Sequence, residues 1–288
     1  MTLSSDVIKF FRVMYNSSIY PKIGSDNVII NSFKCWPKTL SLYSNVVIDL
    51  MVNIRGLSDK IDAEGMERTI SCLEFVTKIA ETGGKILRNN KEQIKLLILR
   101  LDRINGSPLS KGGIYDKRYK KIEEYKFDKN INENPFKHEN LMPSDIHSIF
   151  KNNEARILFY NYLTCFLIEY FEDNIWGDQK VIIDGGIRSL SDWNRDDYPF
   201  LLERNNELNG NVEIKKVSYP NPYLKQGEAD LGCPFWANKI PGRTIIQCED
   251  GDMILICLLQ RSKYKMIHKI NNQSIIINMF IYTINIIN

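Results

Sequence analysis

Short apolar runs rich in Val, Ile and Leu recur along the chain at 46–49 (VVID), 96–102 (LLILRLD), 181–184 (VIID), 212–219 and 244–248, with 253–259 following after a tight break. Runs of this length between polar segments predict buried strands. Between the first two, Ile70, Leu73, Val76, Thr77 and Ala80 fall at helical spacing within 62–82, and Gly83-Gly84 is expected to close that helix. Strand, helix, strand in this order predicts a parallel sheet.

A second helix, rich in aromatics, is predicted over 155–176. Its longest uncharged stretch, 157–168, has twelve residues and is too short to span a bilayer. From 111 to 153 the chain turns polar and charged, as an insertion into an α/β alternation would. The stretch 270–288 carries no charge and is mostly Ile and Asn, so it reads as low complexity. No internal repeat is apparent, and the organised region is expected over about residues 1–262.

The composition narrows the function classes. At 288 residues and 43% apolar content, the chain can bury one large core or two modest ones. With 38 basic against 35 acidic side chains, the average charge does not point to nucleic acid, so a basic surface must come from local clustering. Six scattered cysteines without a C-x-x-C pair, and three histidines, argue against a zinc cage or a dense disulfide framework. The opening MTLSSDVIKFFR lacks the layout of a signal peptide, which leaves a reducing intracellular compartment as the expectation.

Acidic residues close or follow several of the predicted strands: Asp49, Asp102, and the pair Asp250 and Asp252 in QCEDGDMILI. In a parallel sheet the carboxyl ends of neighbouring strands converge on one edge, where ligands bind. Converging carboxylates repel one another unless a cation lies among them, and oxygen ligands suit Mg²⁺ or Mn²⁺. Each Asp alone also fits a strand-end turn, and Asp184-Gly185-Gly186 is read as such a turn. The D-x-D pair alone would also fit a metal-dependent sugar-nucleotide transferase.

Four stretches together are more specific. ILRLDRINGSPLSKGGIYDKR, SYPNPYLKQGEAD, IIQCEDGDMILI and the earlier VVID occur in the order found in the flap endonuclease and XPG family of 5′ nucleases, which this chain resembles. Asp49 and Asp102 stand 53 residues apart, and Asp230 and Asp250 stand 20 apart. Ile8-Lys9-Phe10-Phe11-Arg12 resembles the family's opening segment, which Xrn-type exoribonucleases share in similar form. The resemblance implies a PIN-like α/β core with a mostly parallel central sheet flanked by helices and a helical gateway or arch insertion. Its boundaries would be 1–106 and 154–262 for the two halves of the core, 107–153 for the insertion and 263–288 for the tail.

Carried over residue by residue, the resemblance makes Asp49, Asp102, Glu228, Asp230, Asp250 and Asp252 the ligands of two Mg²⁺ ions, with Mn²⁺ as a substitute. Lys111 and Arg118 would reach the scissile phosphate; seven residues apart, they would share a helix face. Lys117, Lys120, Lys121 and Lys126 would hold the nucleic-acid backbone. Tyr115, Tyr119 and Tyr125 interleave with these charges and are candidates for base stacking or for covering a neighbouring element.

The implied activity is Mg²⁺-dependent hydrolysis of DNA at a 5′ flap or 5′ end, in repair or replication, with no small-molecule cofactor, no membrane partner and no evident sliding-clamp motif. A nuclear location follows for a cellular eukaryote and a cytoplasmic one for a virus. Beyond Leu259 the family's Gly-x-Asp-Tyr segment and helix-two-turn-helix are absent, which leaves a catalytically weak nucleic-acid-binding remnant as an alternative. The Lys-Phe-Phe-Arg opening leaves an RNA-directed 5′ exonuclease as another.

Overall fold

The run NVVID folds as β1 (Asn45–Asp49), buried at every position. We describe the protein from a computed structural model covering residues 43–63, 70–102, 123–127, 134–190, 199–205, 210–218, 229–248, 265–270 and 273–277. The chain passes without a loop from β1 into α1 (Leu50–Ala63), then through α2 (Cys72–Asn89) into β2 (Leu96–Arg100). After α3 (His147–Lys151) and α4 (Asn153–Asp173) come β3 (Lys180–Asp184), β4 (Phe200–Arg204) and β5 (Val212–Lys216). Helix α5 (Ala229–Lys239) leads into β6 (Thr244–Cys248), followed by β7 (Lys265–Ile270) and β8 (Gln273–Ile277).

These strands form one sheet in the order β5-β4-β3-β2-β1-β6-β7-β8. The five central strands, β3 to β7 in that order, are parallel, and antiparallel strands extend both sides. The fold is thus α/β, with a mostly parallel sheet flanked by helices. The Ile/Asn-rich segment supplies β8 and the last residue of β7, so ordered pairing continues past residue 262 to Ile277.

Alternation along the strands divides the core. Val46, Ile48, Leu97, Leu99, Val181 and Ile183 pack with the apolar stripes of α1, α2 and α4. Val47, Ile98, Ile182 and Ile246 face Cys233, Trp236 and Ala237 of α5. Helices therefore cover both faces, which is why the central strands are apolar on both sides.

Two expectations change in α2. The helix starts at Cys72, where the Ser71 hydroxyl accepts a hydrogen bond from the Glu74 amide at 3.1 Å, and it runs through Gly83-Gly84 to Asn89. The glycines do not close it, because they are contact residues: a methyl on Gly83 would lie 2.9 Å from Leu97 Cδ2 and 3.1 Å from Phe171 Cζ. The buried stripe is Cys72, Phe75, Val76, Ile79, Ala80, Gly83, Gly84 and Leu87, while Leu73 is exposed. The second helix, expected over 155–176, is α4. It begins two residues earlier, where the Asn152 side chain accepts from the amides of Glu154 and Ala155.

Candidate functional site

The order of the central strands creates a switch point at β1. The chain moves outward from β1 to β2 and β3, then returns to place β6 on the other flank of β1. In open α/β sheets, ligands bind at the carboxyl edge beside such a switch. Asp49 ends β1 at this edge, and the chain leaves β6 there at Cys248, one step beyond the Ile48–Gln247 pairing.

Asp49 and Asp102 are both buried at this edge, at 2% and 4% exposure. Asp49 Oδ1 accepts a hydrogen bond from the Met51 amide at 2.9 Å, in the first turn of α1. Asp102, two residues past the end of β2, accepts from the Ala229 amide at 2.8 Å through Oδ1. That bond crosses 127 positions of sequence and ties the β2 acid to the first residue of α5. Arg55, on α1, brings a guanidinium nitrogen to 4.0 Å from Asp102 Oδ2.

Of the six predicted metal ligands, Asp49 and Asp102 lie together at the sheet edge. Ala229, between Glu228 and Asp230 in the chain, is bonded to Asp102. Asp230 lies in the first turn of α5. Glu228, Asp250 and Asp252 fall outside the described residues, as do Lys111, Lys117, Arg118, Lys120, Lys121, Tyr115, Tyr119 and the segment 8–12. Lys126 is exposed. Its neighbour Tyr125 packs against Phe127 and Phe136 at ring separations of 6.0 and 5.8 Å, so of its two expected roles it takes the covering one.

The described part of the site suits a hard cation in its donor chemistry. Both acids offer oxygen, and each has one oxygen fixed by a backbone amide, which restricts rotation of the carboxylate. Among the described residues, no group of three or more His, Cys, Asp or Glu side chains is arranged to hold a metal.

The acids have charged neighbours that no sequence motif marks. Asp49, Arg100 and Asp184 stand in register across β1, β2 and β3, and alternation puts all three on the face covered by α5. Arg100 and Asp184 have no solvent exposure and form an ion pair, and the Trp236 indole N–H donates to Asp184 Oδ2 at 2.6 Å. Gly232 leaves room for the guanidinium, since a methyl there would come within 2.8 Å of Arg100 Cζ. The expected turn at Asp184-Gly185-Gly186 is present, with Gly185 at φ +80°, but Asp184 is also the counter-ion of Arg100. The usable signal was Arg100 itself, a cation within the apolar strand LLILR that had to find an acid.

Comparison of the chain with protein-family models, with curated proteins and with solved structures finds no match. Among the described residues, no helix is long and apolar enough to cross a membrane.

Proposed function

We propose that this chain is a metal-dependent 5′ nuclease of the flap endonuclease and XPG type, hydrolysing DNA phosphodiester bonds at a 5′ flap or 5′ end. The observation that carries the reading is the Asp102–Ala229 hydrogen bond beside Asp49. It joins two motifs 127 positions apart at the sheet edge where a third motif also ends. A turn-forming role for each Asp alone gives no reason for that convergence.

In this reading Asp49, Asp102, Glu228, Asp230, Asp250 and Asp252 hold two Mg²⁺ ions. When bound, Mg²⁺ supplies charge neutralisation and water activation at the phosphodiester. The backbone amides of Met51 and Ala229 keep their two carboxylates oriented for that task. Lys111 and Arg118 balance the negative charge that grows on the phosphate, and Lys117, Lys120, Lys121 and Lys126 hold the backbone of the strand. The segment 107–153 is the gateway insertion of a PIN-like core.

The test is cleavage of 5′-flap and nicked DNA, with single-stranded RNA in parallel, in the presence and absence of Mg²⁺. Asp250→Ala is expected to lower the rate by at least about 100-fold. Cleavage that survives the substitution or ignores Mg²⁺ rules the reading out. A second reading is a nucleic-acid-binding remnant without catalysis, in which the Arg55 guanidinium stands in for a cation beside Asp102. Binding of DNA without a Mn²⁺-induced rise in Tm would select it.

A further inference from the structure

Arg55 stands at the mouth of the carboxylate edge, and the family resemblance assigns it no role. Helix α1 leaves β1 directly after Asp49, so a rigid element carries Arg55 about 9 Å along the helix axis from that acid. Its side chain remains 26% exposed, whereas Asp102 beside it is nearly enclosed. The separation of 4.0 Å exceeds the roughly 2.7–2.9 Å of a tight charge-assisted bond, so the pairing is loose. A loose, partly hydrated ion pair adds little to stability.

A guanidinium offers a planar fork of donors that matches a phosphodiester, and it is held here beside an acid proposed to bind metal. A divalent cation and Arg55 therefore compete for the charge of Asp102. We infer that Arg55 exchanges partners: it balances Asp102 in the absence of a divalent cation and turns to a backbone phosphate of the nucleic acid once a cation takes that carboxylate. The inference rests on the nuclease reading, because it needs both a cation and a phosphodiester at this edge.

The two partners give the exchange a signature of opposite signs. In Arg55→Gln the competitor for Asp102 is gone, so the Mn²⁺ concentration giving half of the maximal thermal upshift is expected to fall about threefold. The same variant should bind a 5′-phosphorylated flap DNA more weakly in Ca²⁺, with the slope of log affinity against log salt reduced by about 0.7–0.9. Arg55→Lys keeps the charge and should restore the slope while recovering only part of the affinity, since an ammonium lacks the fork.

A purely structural Arg55 would weaken both kinds of binding or leave both unchanged, and either result overturns the inference. Circular dichroism of both variants verifies that the fold is retained. The failures are separable. Wild-type protein that binds and cleaves, with Arg55→Gln unchanged in both measurements, sinks the Arg55 role alone. Wild-type protein that binds neither Mn²⁺ nor DNA sinks the nuclease reading and the exchange together.

Discussion

A guanidinium without solvent contact, such as that of Arg100, persists in a sheet only if its charge is answered, and Asp184 answers it from the next strand. Breaking such a pair on one side costs more than removing it. Arg100→Met is expected to lose about 3–5 kcal/mol in urea unfolding. Adding Asp184→Asn should recover most of that loss, because the amide oxygen still accepts from Trp236 and neither charge of the pair remains. An added loss in the double variant would mean that the pair is not the source of the cost.

Cys72 shows the same sensitivity to burial. Its thiol is pushed up to about 11, chiefly by enclosure, with backbone hydrogen bonds at Lys137 and Cys72 opposing and the nearby Glu139 adding. At pH 8 only about a thousandth of it would be thiolate, the form that reacts. Iodoacetamide should therefore label Cys72 in urea and spare it in the native protein, as read by peptide mass mapping.

At the level of elements, the strands were legible because a strand buried on both faces leaves an unbroken apolar run, and β1, β2, β3 and β6 lie where those runs occur. Helix α2 was legible in kind but not in phase. Gly83-Gly84 resembles a stop signal locally, whereas its true cause, the approach of Leu97 and Phe171, comes from β2 and α4. Gly83→Ala consequently sets better helix propensity against a clash in the core. A net loss of about 1–2 kcal/mol is expected, since overpacking outweighs the roughly 1 kcal/mol that alanine offers. Greater stability of that variant would show that the contact yields.

β5 lies inside the run expected at 212–219, whereas β4 was not read, and the pairing of the two depends on charges across strands. Glu203 on β4 bridges Lys180 on β3 and Lys215 on β5. Its carboxyl is held below the ordinary 4.5, chiefly by the hydrogen bond from Lys180, against the opposing effect of burial and with help from Lys215. A depressed folded-state pKa means that the contribution is complete above about 4.5 and disappears as pH falls through the lower folded value. Glu203→Gln should therefore flatten the acid limb of urea midpoint against pH, with only a small change at pH 7.

For the whole molecule, alternation of strand and helix announced a parallel sheet, and the sheet has one at its centre. The antiparallel margins and the return of β6 to the side of β1 were not legible, since both are set by pairings between distant segments. The acids Asp49 and Asp102 could be read from their strand-end positions, while the partners of Arg55 and Arg100 could not, because they become apparent only in three dimensions. Occupancy of the proposed metal site by Mn²⁺ at 100 times its Kd should stabilise the protein by about 2.7 kcal/mol. Asp49→Asn should abolish most of that gain, and an undiminished gain would place the metal elsewhere.

The partnership of β1 and β6 also bears on synthesis of the chain. Strand β1 waits about 200 positions for its second neighbour, whose arrival is sealed by the Asn45 amide reaching Pro241 and by backbone bonds from Ser44 and Asn45 to Arg243. A nascent polypeptide halted before residue 229 would carry β1 with one flank bare, an uncharged row of Val46, Val47 and Ile48 open to any passing strand. Such fragments should accumulate as insoluble material unless a chaperone shields them, whereas release of the finished polypeptide closes that flank from within.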